Sequence, residues 1–196
     1  MISIPPEIWG LLSVCLAAFS LGPYFVATLR GTNKPHMLTW VIWTVLTGAA
    51  FLIQYKEGAG SGAWSGGVST VLCAAIMIVS FKYGEKHITR FDWVMFFLAA
   101  MVFPIWLLTD NPAMAAVWVT VIDGFGYLPT MRKSWNKPYE EMVSTHGIAA
   151  IKHIFVLLAV ENVLFATVFY SWGMVTMNGL LVLLILVRRI RLRNKS

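Results

Sequence analysis

Apolar residues in this chain come in long runs, separated by short polar stretches rich in Lys, Arg, Asn, Gly and Pro. Seven runs stand out, at 8–29, 37–55, 63–81, 93–109, 112–131, 146–170 and 173–187. A hydrocarbon core about 30 Å thick is crossed by roughly 20 apolar residues in helical form, so each run predicts a membrane-spanning helix. The expected fold is all-α and integral to the membrane: seven transmembrane helices in a single domain over 1–196. The stretches between runs are too short to form a soluble domain. An odd number of spans puts the two termini on opposite sides.

Two of the polar stretches match each other. Tyr24-Phe-Val-Ala-Thr-Leu-Arg-Gly-Thr-Asn-Lys-Pro35 and Tyr127-Leu-Pro-Thr-Met-Arg-Lys-Ser-Trp-Asn-Lys-Pro138 align at a constant offset of 103 residues. A fixed offset over a dozen positions points to internal duplication. The first and fifth spans run in the same direction, so the duplication is parallel. Its parts are a first three-helix repeat at 8–83, a linker helix at 91–109 and a second three-helix repeat at 112–190. The single linker helix is required, because joining two three-helix units directly would invert the second. A shift of 108 aligns Trp64 with Trp172, which predicts about five extra residues in or near the middle helix of the second copy.

Composition strengthens the membrane reading. Hydrophobic residues make up 58% and charged residues 12%, with a mean hydropathy of +0.72, whereas soluble domains carry about 25% charged residues. Retained cations collect on the cytoplasmic side of membrane proteins. With the N-terminus outside, 13 of the 15 Lys and Arg residues fall in inner segments, from Arg30 and Lys34 to the tail from Arg188 to Lys195; Lys56 and Lys152 are the other two. The expected topology is N-out and C-in, in a bacterial inner (plasma) membrane. The +6 charge then calls for lipid headgroups as partners rather than nucleic acid. The first span, preceded by Glu7 and no basic residue, lacks a signal peptide's basic region and is expected to be retained. Cys15 and Cys73 fall inside spans, which argues against a disulfide framework or a clustered metal site.

Polar residues within the spans carry the candidate chemistry, because ionisable groups in hydrocarbon are costly and face an interior or aqueous cavity. Asp123, in the middle of the fifth span, is the clearest; its repeat counterpart is Ser20. It reads as a proton-coupling group, a hydrogen-bonding partner for a polar solute, or a bond between helices. In the second span Trp40, Trp43, Thr44, Thr47, Phe51 and Gln54 share one helical face. That row suits a solute with a flat apolar face and polar edges, such as a sugar or an aromatic vitamin precursor, and it also suits plain packing. In the sixth span His146, His153 and Glu161 form a row, with Lys152 and Asn162 pointing elsewhere; His146 matches Trp43 by the offset. The row extends over roughly 20 Å of helix, too far for one metal ion. It fits a proton path, a polar cavity wall or interhelical bonding. Pro23 and Pro129 stand about two turns before the inner ends of their spans. Bends there could gate the inner side or only shape packing.

In this arrangement Pro129-Thr-Met-Arg-Lys-Ser134 resembles a degenerate Pro-Gln turn, and Pro23-Tyr24 with Arg30-Gly-Thr32 a weaker one, although the chain contains no Pro-Gln dipeptide. The plan resembles the SWEET sugar facilitators and the wider PQ-loop superfamily of transporters. That resemblance implies a 3+1+3 parallel arrangement, N-out and C-in. Asn178 looks similar to the Asn that SWEET proteins place in their third and seventh helices against sugar; under the shift of 108 its partner is Thr70.

No phosphate-binding loop, nucleophile elbow or His-Glu-x-x-His is present. The expected function is therefore non-enzymatic and needs no cofactor or metal. It is transport of a small polar metabolite, as a facilitator or with protons, by alternating access between two three-helix units. The expected substrate-binding residues are Asp123, Asn178, Trp43, His153, Thr70, His146, Thr47 and Gln54, with Pro23 and Pro129 as gates. Facilitators of nicotinamide riboside share a related plan. A seven-helix receptor that binds ligand without flux is the alternative, and an embedded enzyme a third class. Homo-oligomerisation is left open.

Overall fold

The computed structural model describes residues 4–85, 87–94, 96–97 and 111–194, and every regular element among them is helical. Helix α1 spans Pro6–Leu29, with Pro6 in the first turn, where its missing N–H removes no helical bond. Helices α2, Met37–Lys56, and α3, Trp64–Tyr83, follow, with the 3₁₀ turn Gly60–Ala63 between them. A helix α4 opens on a capping box: Thr89 N donates to Asp92 Oδ2 at 2.8 Å and Asp92 N to Thr89 Oγ1 at 3.3 Å. Residues 90–94 and 96–97 of it are helical, and the rest of the expected linker, from 98 on, lies outside the described residues. Helix α5, Pro112–Asn136, is capped by the Asn111 side chain. Helices α6, Val143–Ala159, and α7, Phe165–Arg193, complete the order.

Five helices, α1, α2, α3 with its preceding turn, α5 and α7, are long and apolar enough to cross a membrane. Large apolar side chains on them face outward, including Phe19 and Val71, each 69% exposed. An apolar exterior around a partly polar interior is what lipid solvates. This is a helical membrane protein.

The last two helices differ from expectation. The run 146–170 is not one helix: α6 stops at Ala159, and α7 begins at Phe165 rather than at 173. Glu161 and Asn162 interrupt the apolar run, and Thr167 Oγ1 accepts from Leu164 N at 2.9 Å while donating to Asn162 O, which starts a new helix. Glu161 therefore leaves the row with His146 and His153 and instead accepts from Ser61 N at 2.9 Å. The insertion of five residues in the second middle helix is not seen either. Helices α2 and α6 end at Lys56 and Ala159, still 103 apart, and Trp172 lies two turns inside α7 whereas Trp64 opens α3.

Packing follows one rule in both halves. Helix α3 sits between α1 and α2, and α7 sits between α5 and α6. The halves then meet twice, α1 on α6 and α5 on α2, each time a first helix against a middle helix. Among the described elements these contacts close a ring in the order α1, α3, α2, α5, α7, α6. Small residues let the helices approach, as in membrane bundles generally. A Cβ added at Gly10 would stand 2.8 Å from Ser61 O, and one at Gly126 would stand 3.0 Å from Ile42 Cγ2.

The loops identify two ends. At one, Ser61 Oγ donates to Ala159 O at 3.1 Å and Asn162 Nδ2 to Glu57 O at 3.2 Å. At the other, which carries most of the cations, Glu85 N donates to Pro35 O at 2.8 Å, and Lys133 Nζ donates to Lys34 O, Glu140 O and Glu141 Oε2. Arg132 holds Asp92 with two bonds, at 2.9 and 2.6 Å, and Lys137 pairs with Glu85 at 2.8 Å. So α1, α3, α5 and α7 run toward the basic end, while α2 and α6 run away from it. The two Asn-Lys-Pro segments belong to this stitching: Lys34 and Pro35 offer carbonyls, Lys137 an ammonium, and Pro138 O accepts from Arg189.

Three outcomes follow from this packing. Gly10→Val should lower the melting temperature in detergent, by overpacking worth about 1–3 kcal/mol, because the Ser61 carbonyl is backbone and cannot swing aside; an unchanged melt would contradict the close approach. Lys133→Met should cost about 3–5 kcal/mol by stranding Glu141, and adding Glu141→Leu should recover much of that loss. The double variant melting no higher than the single would show that the pair is not the cause. Burial alone would push the Glu141 carboxyl up, but the Lys133 ammonium and the His146 ring outweigh it and hold it at about 2. Held below its ordinary value near 4.3, that carboxylate contributes its full stability above this value and loses it as the pH falls toward about 2. Melting temperature should therefore decline progressively below about pH 4.3, and a curve that stays level down to about pH 3 would contradict the pairing.

Candidate functional site

All six helices of the ring contribute to one cavity. Its walls hold Asp123 and Tyr127 from α5, Trp40, Trp43 and Thr47 from α2, and Tyr170, Met174 and Asn178 from α7. Helix α6 adds His146, Lys152 and His153, α3 adds Ser69 and Cys73, and α1 adds Ser20. The repeat offset is visible in this lining. Ser20 and Asp123, and likewise Trp43 and His146, are 103 residues apart, and all four face the same space. The cavity thus lies where the two halves meet, with different chemistry at matching positions.

Asp123 is 1% exposed. Its Oδ2 accepts from the Tyr170 hydroxyl at 2.8 Å, which ties α5 to α7, and its Oδ1 has no partner. Trp43 Nε1, close to that carboxyl, is also buried and makes no well-formed hydrogen bond. The Trp43 ring continues an aromatic wall, packing edge-on against Trp40 at 5.0 Å and tilted against Tyr127 at 4.9 Å. Beyond Trp40 stands Tyr24, at 4.8 Å.

The α6 wall is more polar. Lys152 is 7% exposed, and its Nζ donates to Ser69 Oγ at 3.1 Å. His153 Nδ1 lies 3.4 Å from Ser171 Oγ, and the His153 ring meets Tyr170 edge-on at 5.9 Å. His146 Nδ1 faces Asn178 Oδ1 at 3.3 Å. Because Asn178 Nδ2 donates to Met174 O at 2.9 Å, its Oδ1 is the acceptor and His146 Nδ1 the donor. The other ring nitrogen, Nε2, lies 3.5 Å from Glu141 Oε1. A polar chain therefore runs from Lys133 at the basic end through Glu141 and His146 to the cavity wall.

Of the residues expected to bind substrate, Asp123, Asn178, Trp43, His153, His146 and Thr47 converge on this cavity. Gln54 lies beside it in a smaller adjoining space, sharing Thr47, Lys152, His153 and Tyr170, and its Nε2 donates to Thr167 O at 3.1 Å. Thr70 lies outside the lining, and its hydroxyl donates to Gly66 O in its own helix at 2.8 Å. The row on α2 divides, with Trp40, Trp43 and Thr47 toward the cavity and Phe51 packed on Gly66 and Gly67 of α3. The expected gating pair is unequal. Pro129 is buried in α5, near the bond from Thr39 Oγ1 to Gly126 O at 3.1 Å, whereas Pro23 is exposed on α1.

Sequence reasoning missed Lys152 and Tyr170. Lys152 was expected to point away from the row of His146 and His153, yet the cavity is broad enough at α6 to take both edges of that face. A lysine in mid-span carried the same signal as Asp123, since neither side chain can face lipid. Tyr170 was hidden by the misplaced end of the sixth span. Among the described residues no group of three His, Cys, Asp or Glu side chains is arranged to hold a metal ion.

No family model matches this chain, and neither a curated protein nor a solved structure matches it.

Proposed function

We propose that this protein transports a small polar solute across the membrane by alternating access between its two three-helix halves. One observation carries the reading: a cavity lined by all six ring helices holds a buried carboxyl oxygen, Asp123 Oδ1, and close to that carboxyl a buried indole N–H, Trp43 Nε1, and neither makes a well-formed hydrogen bond in the protein. Buried polar atoms in hydrocarbon are costly when unpaired. A solute that completes both bonds would make the site favourable.

The closed ring, with equivalent interfaces on its two sides, supports the parallel repeat and a seven-span plan in which α4 is the linker. It also supports the resemblance to the SWEET and PQ-loop transporters, though the departures at the Pro-Gln turn and at Thr70 keep the solute from being assigned to sugar on that ground. The collection of cations at one end supports an orientation with that end cytoplasmic and the N-terminus outside, in a bacterial inner membrane. We propose no enzymatic step, because the cavity groups bind and orient a solute and hold no activated nucleophile.

The test is direct. Purified protein is incubated with a metabolite extract, the retained compound is identified by mass spectrometry, and its labelled form is offered to proteoliposomes. We expect saturable uptake, with Asp123→Asn lowering the initial rate roughly tenfold to a hundredfold, the worth of one charged hydrogen bond. Saturable binding with no flux in the wild type would overturn transport and leave a receptor.

A further inference from the structure

The cavity holds one acidic and one basic side chain, Asp123 on α5 and Lys152 on α6, and no ion pair joins them. This is unusual for two charges within a hydrocarbon layer. Left unpaired they each carry a desolvation cost, and direct pairing would be the simplest structural remedy. Instead each is held off by a neutral neighbour. Asp123 accepts from Tyr170, with Trp43 Nε1 close by and Oδ1 making no well-formed bond, and among the described residues the bond given to Lys152 is to Ser69 Oγ. The hydroxyls of Tyr170 and Ser69 orient the two charges without neutralising either.

We propose that the cavity takes a small zwitterion, with its cationic group against Asp123 and its anionic group against Lys152. This deepens the transport reading and rests on it. A neutral polyol would satisfy hydrogen bonds but leave both charges uncompensated. A simple cation or a simple anion would compensate one and leave the other. A zwitterion matches both, and the whole complex is then neutral as it crosses the hydrocarbon. The aromatic wall adds to the choice, because Trp43 and Tyr127 line the same cavity as Asp123 and offer apolar ring surface to the rest of the solute. An α-amino acid is the simplest solute with both groups and a side chain to pack on those rings. Trp43 Nε1 and the histidines on α6 supply polar contacts to the rest of the molecule.

Equilibrium binding separates these possibilities without reference to flux. The full-length wild-type protein in detergent is titrated calorimetrically with the twenty α-amino acids and with glucose as the neutral polyol. The best amino acid is then compared with its C-terminal amide and its N-acetyl derivative. We expect at least one amino acid to bind saturably, and removing either charge to weaken it roughly tenfold or more. Lys152→Met should weaken the amino acid far more than its amide, and Asp123→Asn should weaken it far more than its N-acetyl form, because each variant removes only the partner of one group. Binding of glucose but no amino acid, equal binding of the amide or the N-acetyl form, or no saturable binding by any of these probes would overturn the zwitterion. The derivative series uses wild-type protein alone, so misfolding of a variant leaves it decisive. Failure of the transport reading looks different: the amino acid binds with the expected selectivity and does not enter proteoliposomes.

Discussion

A bilayer offers no water to an ion, and the position of the charged side chains here follows from that cost. At the basic end Lys133 is 3% exposed, yet three oxygens from two loops surround its ammonium. Arg132 with Asp92 and Lys137 with Glu85 bind the start of α4 and the end of α3 to α5 in the same way. These pairs are also the joints between the halves of the molecule. Among the described residues lining the cavity, Asp123 brings a carboxyl and Lys152 an amine, and each is bonded to a hydroxyl rather than to the other.

The ring follows from which helices touch. In α1–α3 and again in α5–α7 the third helix lies between the first and second, which leaves a first and a middle helix at the open edges. Joining first to middle on both sides closes the bundle around a shared axis. Positions 103 residues apart thereby line one cavity with different chemistry: Asp123 and Ser20, and His146 and Trp43. At the basic end the two Asn-Lys-Pro segments are held differently. Lys34 is tied in chiefly through its carbonyl, with a looser pair to Glu140 at 3.6 Å, whereas Lys137 pairs with Glu85 at 2.8 Å.

Much of this was legible in the chain, for stated reasons. Long apolar runs can only be satisfied in lipid as helices, so the first three spans and the fifth lie close to where the pattern puts them. The sixth and seventh do not, because hydropathy averages over a break. Glu161 and Asn162 are two polar residues in an apolar stretch, and it takes the Leu164 and Thr167 exchange to make them a boundary. That misplaced boundary concealed Tyr170 as the partner of Asp123. A helical wheel likewise assigns one narrow face to the interior, while six helices around a cavity expose a broader one, so Lys152 fell outside the row.

Hydropathy, cation placement and the constant offset of 103 residues are enough to establish a helical membrane chain with a duplicated pattern and an ionisable group in mid-span. They depend on local composition and on spacing along the chain. Which helices touch, and therefore which polar side chains share a cavity, depends on close approaches between residues far apart in the chain, such as Gly10 with Ser61 and Gly126 with Ile42. Tertiary packing alone decided that Asp123 would meet Tyr170, that Lys152 would meet Ser69, and that the two charges would face one space unpaired. The reason is physical: sequence period sets the direction of a side chain relative to its own helix axis, while the crossing of helices sets what it meets.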